Sequence, residues 1–169
     1  MYKKFCVIFM ATLCYLPVAQ ASWKTTTEDD VFTAQKKAQM DADISGHNQA
    51  LIFNCSQNNL TMSEVEKDPN TSVTTIKKYT TIVKIDNNDP VVFDTTLSRR
   101  NPDYLQLKTS QTDKIKIVLK QLKDQSSKKD FMIGTADSKG TPLSSYTGSV
   151  SFAKKAINKF IATCNIKID

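Results

Sequence analysis

The order of apolar and polar positions divides the chain into short alternating stretches and two longer runs of a different period. In ALIFNC (50–55), Leu51, Phe53 and Cys55 occupy every second place and so share one face of a predicted strand. AQMDADI (38–44) alternates in the same way, and WKTTTEDDVFT (23–33) reads as a strand running into an acidic turn. Gly46-His47-Asn48 is a turn signal, and so is Asn58-Asn59, which feeds LTMSEV (60–65) back as a hairpin partner of 50–55. EKDPNTS (66–72) is a predicted loop. TTIKKYTTIVKI (74–85) is long and rich in β-branched residues, the strongest strand signal in the chain. DNNDP (86–90) ends it, and Val91-Val92-Phe93 opens another strand.

Two segments change to a helical period. Within 112–125, Ile115, Val118, Leu119 and Leu122 fall at i, i+3, i+4 and i+7. Lys116, Lys120 and Lys123 lie off that stripe, and Thr112 or Asp113 can cap the first turn. Near the end, Ala153, Ala156, Ile157, Phe160, Ile161 and Cys164 make a second apolar stripe. Between the helices, Phe131-Met132-Ile133 predicts a strand, SKGTPLSS (138–145) a loop or hairpin connection, and Tyr146 to Val150 a last strand. The expected fold is α+β: antiparallel strands in two packed layers, with two helices covering their apolar faces.

The first residues change the picture of where the chain works. MYKKFCVIFMATLCYLPVAQASW begins with Lys3 and Lys4, continues through an apolar run from Phe5 to Leu16, and offers Ala19-Gln20-Ala21 as a small-residue cleavage site. That is the layout of a secretory signal peptide at 1–21, and the apolar run is short for a bilayer span. The other reading is a retained membrane anchor. Cleavage leaves one exported domain, 22–169, with no further run of membrane-spanning length. It also removes Cys6 and Cys14, leaving Cys55 and Cys164. In an oxidising compartment one even pair most simply forms one disulfide, pinning the last helix to the sheet; two separate buried thiols are the alternative.

The formal charge of the whole chain is +6, and losing Lys3 and Lys4 lowers it to +4. This mild, lysine-dominated balance lacks the dense basic stripe with interleaved aromatics that nucleic acid binding needs. Little points to catalysis, a metal or a cofactor. His47, the single histidine, sits in a turn with no partner set. Glu28, Asp29 and Asp30 lack the spacing of a calcium loop, and there is no glycine-rich phosphate cradle. The stretch most suited to a partner protein is Ser98–Tyr104, SRRNPDY. It gathers Arg99 and Arg100, the only arginines, beside Pro102 and Tyr104. Arginine and tyrosine are enriched at the centres of protein interfaces; the alternative is a solvated loop.

The sequence of features also carries a resemblance. Trp23 at the mature start is followed by LIFNC, then VKIDNNDP, then IKIVLKQLKD with DFMIG, and finally TGSVSFAKKAINKFIATC. This order, anchored on Trp23, Cys55, Asp86, Pro90, Gly148 and Cys164, resembles the VasI-like periplasmic proteins associated with type VI secretion and the invasion-associated locus B-like proteins. Asn87 and Asn88 stand where those families carry glycines in an Asp-Gly-x-Pro turn. The resemblance implies a Gram-negative periplasmic location, a β-sandwich-like α+β fold and a non-enzymatic accessory role, and it transfers no catalytic residue. The expected function is therefore a periplasmic or envelope protein that binds another protein. A variant is an immunity or inhibitor protein directed at a toxin or lysozyme. A cell-wall hydrolase and a structural envelope component are the competing classes.

Overall fold

Alternating residues build strands here, and in the computed structural model they join into one continuous sheet. The structure describes residues 23–29, 31, 35–44, 48–56, 59–124 and 130–168. In chain order the elements are β1 (Lys24–Asp29), β2 (Lys36–Ile44), β3 (Gln49–Ser56), β4 (Asn59–Lys67), β5 (Lys77–Ile85), β6 (Val91–Asn101) and β7 (Tyr104–Thr109). Then come α1 (Thr112–Asp124), β8 (Asp130–Ala136), β9 (Pro142–Ser149) and α2 (Ala153–Thr163). The spatial order is β1-β2-β3-β4-β7-β6-β5-β8-β9, antiparallel throughout. Strands expected in two layers thus belong to a single sheet that curls into a half-barrel.

Side-chain alternation decides what the curl encloses. On one face Met40 and Ile44 of β2, Leu51 and Phe53 of β3, Val83 and Ile85 of β5, Phe93 of β6, and Phe131 and Ile133 of β8 are all buried. The two helices lay their stripes into this concavity: Ile115, Val118, Leu119 and Leu122 from α1, and Ala153, Ala156, Ile157 and Phe160 from α2. Each fully buried aliphatic or aromatic side chain contributes roughly 1.5–3 kcal/mol, so this face holds the fold together. Among the described residues no helix is long and apolar enough to cross a membrane.

The ends of the sheet are drawn toward each other. Trp23 is buried just before β1, its indole N–H donates to the carbonyl of Ser149 at 2.8 Å, and its ring packs on Phe53 and Phe131. Close approach there depends on Gly148, where a β-carbon would lie 2.4 Å from the Phe131 ring and 2.8 Å from Ile44. Thr25 ties β1 to α2 by donating its hydroxyl to the carbonyl of Ala156 at 2.8 Å. Cys55 and Cys164 are bridged, with α-carbons 6.2 Å apart. The bridge fastens the end of α2 to β3, and Ile166 and Ile168 beyond it also pack on the core.

Several expectations need correcting. The long strand starts at Lys77, three residues later than its β-branched run. More consequentially, β6 continues to Asn101 and takes in Arg99 and Arg100, which were expected in a surface loop. The alternation Val91, Phe93, Thr95, Leu97 simply does not stop at Phe93. Only Pro102 and Asp103 form the turn, after which Tyr104 starts β7, a strand not anticipated at all. The disulfide pairing agrees with expectation, although Cys164 is half-buried at the helix C-cap rather than deep in the stripe. His47 and Asp30 lie outside the described residues.

Candidate functional site

The two arginines diverge. Arg99 donates through Nη1 to the carbonyls of Asp68 and Pro102, the latter at 3.2 Å, and through Nη2 to the carbonyl of Thr71. It fastens the loop after β4 to the β6–β7 turn. Asp68 stiffens the same loop by accepting the backbone N–H groups of Asn70 and Thr71, both at 2.9 Å. Hydrogen bonds from Thr71 lead the causes that hold its carboxyl below the ordinary value.

Arg100 points elsewhere. The β6–β7 register runs Arg99 with Leu105 and then Asn101 with Tyr104, leaving Arg100 as the bulged, unpaired residue. A bulge re-aims a side chain and bends its strand. Arg100 Nη2 donates to Gln39 Oε1 at 2.8 Å, and Nη1 reaches Gln106 Oε1 at 3.4 Å. Gln39 belongs to β2, four strand steps from β6, a distance of about 19 Å across a flat sheet. The sheet must therefore bend toward this outer face as well, as a strongly twisted sheet does when it coils.

That bend makes a cleft of about 530 Å³ on the face away from the helices. Its floor comes from the polar positions that alternate with core residues: Gln39 of β2, Asn54 of β3, Thr61 and Ser63 of β4, and Gln106 of β7. Lys37, Lys108 and Arg100 line it with positive charge, against Glu28 as the one acid of the lining among the described residues. Both glutamines are oriented from behind: Gln39 Nε2 donates to Asp41 Oδ1 at 3.3 Å and Gln106 Nε2 to Ser98 Oγ at 3.1 Å. Asp41 in turn pairs with Lys24 at 3.3 Å. Tyr104 is half-buried at the start of β7 and is not part of the cleft lining, so the expected trio separates into three surroundings.

A second polar group sits on the opposite, concave face. Glu64 follows Leu60 and Met62 in the inward phase of β4, so its carboxylate is buried and accepts the hydroxyl of Thr135 on β8 at 2.7 Å. Burial raises its pKa above the ordinary value, the Thr135 bond opposes that shift, and nearby Glu66 adds to it. Tyr146 on β9 is raised too, by burial first and then by the charges of Glu66 and Glu64. These residues were missed because a carboxylate in an apolar phase is easily taken for an edge residue. The usable signal was Glu64 itself, at the place where alternation demands a hydrophobe.

Among the described residues no three His, Cys, Asp or Glu side chains gather as a metal set would. Comparison of the chain with protein-family models, with curated proteins and with solved structures finds no match.

Proposed function

We propose that this chain is a non-enzymatic binding protein of the Gram-negative periplasm, exported by a signal peptide at 1–21 and working through contact with another protein. The observation that carries this reading is the Arg100 cleft, a concave polar surface built on strands rather than on mobile loops. Groups held by a rigid sheet keep their geometry in the free protein, so less ordering entropy opposes association. The features shared with VasI-like and locus B-like proteins support an accessory role beside a type VI secretion apparatus. A toxin or lysozyme as the partner would make the same cleft an inhibitory surface.

The test is site-specific crosslinking in the native host. A photo-crosslinking amino acid replaces Lys108 at the cleft, or Lys155 on the exposed side of α2 as the control. A discrete protein adduct from position 108 and none from 155 supports the proposal. No adduct from position 108, or equal adducts from both positions, would overturn it.

A further inference from the structure

We infer that the Arg100 cleft recognises a carboxylate, an aspartate or glutamate side chain on a segment of the partner polypeptide. This deepens the proposed function and rests on it in taking the partner to be a protein. The starting observation is an imbalance of charge. Arg100 is half-buried, and among the described residues its hydrogen-bond acceptors are two neutral amide oxygens, of Gln39 and Gln106, rather than an acid. A guanidinium has five donors, so those two contacts leave further N–H groups for a ligand. A cation taken partly out of water without a counter-charge is costly, and an incoming anion offsets that cost.

The surroundings narrow the anion. The backing of Gln39 by Asp41 and of Gln106 by Ser98 turns both amide oxygens toward Arg100, so the fork is held in place before any ligand arrives. A planar fork held this way suits two parallel bonds to one carboxylate. Lys37 and Lys108 add attraction, while Glu28 opposes a group of high negative charge such as a phosphate dianion. The remaining lining is hydroxyl and amide, from Asn54, Thr61 and Ser63, able both to donate to and to accept from peptide groups beside the acidic side chain.

The experiment is an NMR titration of the exported chain with two blocked tetrapeptides, one of four glutamates and one of four glutamines. The expected result is saturable shifts of the Gln39, Arg100 and Gln106 backbone amides with the glutamate peptide. Affinity should be at least tenfold weaker for the glutamine peptide and for the Arg100→Gln protein. Arg100→Lys should not restore it, because a point charge cannot replace the fork. Lys108→Gln, at an exposed position, should weaken binding by a smaller factor and guards against misfolding of the Arg100 variants. Equal response to the two peptides, or full affinity in Arg100→Gln, would overturn the inference. So would free acetate or inorganic phosphate binding as tightly as the glutamate peptide, since no polypeptide would then be needed. An adduct at position 108 with any of these failures sinks only the carboxylate. A positive titration without that adduct sinks the protein-partner reading instead.

Discussion

Gly148→Ala tests how tightly the half-barrel closes. The added β-carbon would stand 2.4 Å from both Cε1 and Cζ of Phe131 and 2.8 Å from Cγ2 of Ile44. Carbon atoms rest at about 3.5–4.0 Å, so a ring or a strand must move by roughly 1 Å. Phe131 has little freedom to yield, being fully buried with the Trp23 ring 5.5 Å away. Overpacking of this kind costs about 1–3 kcal/mol, while removing a glycine from a strand returns roughly 0.5–1 kcal/mol. The net expectation is a loss of about 1–2 kcal/mol, or a Tm lowered by roughly 2–8 °C for a domain near 150 residues. Gly134→Ala is the internal control, because its β-carbon meets only the Ser144 carbonyl at an ordinary 3.6 Å. That variant should stay within about 0.5 kcal/mol of the parent or gain slightly. Trp23, the only tryptophan, lies against Phe131 and reports urea unfolding by its fluorescence. Adding Phe131→Leu to Gly148→Ala should recover part of the loss, a coupling of about 0.5–3 kcal/mol between touching residues. If Gly148→Ala proves as stable as the parent, the sheet ends do not close as described.

Three further outcomes follow from other parts of the molecule. Replacing Cys55 by Ser should cost roughly 2–5 kcal/mol, because the lost bridge closes a span of 109 residues; non-reduced peptide mapping should show the Cys55–Cys164 pair in the parent. Burial raises the pKa of Glu64, so the folded state holds that proton more tightly than the unfolded state, and stability should fall as pH rises from the ordinary carboxylate value through the raised one. Glu64→Gln keeps an oxygen to accept from Thr135, and urea unfolding across that window should show a flatter profile and higher stability at neutral pH. Arg99→Ala should destabilise the fold by about 1–3 kcal/mol through its freed carbonyls, measured by thermal unfolding, and leave partner affinity nearly unchanged, whereas Arg100→Ala should do the reverse.

Local period carried most of the elements into view. Both helices were legible because their four-residue stripes are clean, and the bridge was legible because the odd positions of 50–55 put Cys55 on the buried face. The joining of the strands was not. β4 pairs with β7, skipping β5 and β6, and that neighbour relation is set by registers tens of residues apart rather than by any local signal. β7 is hidden by its setting: Asn101, Pro102 and Asp103 signal a turn so strongly that the short YLQLKT alternation after them does not stand out. Glutamines 39 and 106 were invisible as site residues, since a polar residue at every second place is what any half-exposed strand shows.

Adjacency in sequence was the misleading feature of the arginine pair. Two cations side by side suggest one binding surface, and in an irregular loop they can form one. On an extended chain, successive side chains leave in different directions, so neighbours are the residues least able to share a ligand. Here the bulge at Arg100 completes the separation: Arg99 is consumed by three backbone carbonyls, and Arg100 is turned across the bent sheet toward a glutamine sixty-one residues earlier. The same geometry sets the two apart as candidates for binding. Carbonyl groups hold Arg99 as a structural clamp with its donors directed into the loop. Arg100 is held by two side-chain amides that are themselves fixed from behind, which positions a guanidinium without neutralising it. Among the described residues its hydrogen-bond acceptors carry no negative charge, and under the proposed reading that residual positive charge, rather than the presence of arginine, marks the candidate site.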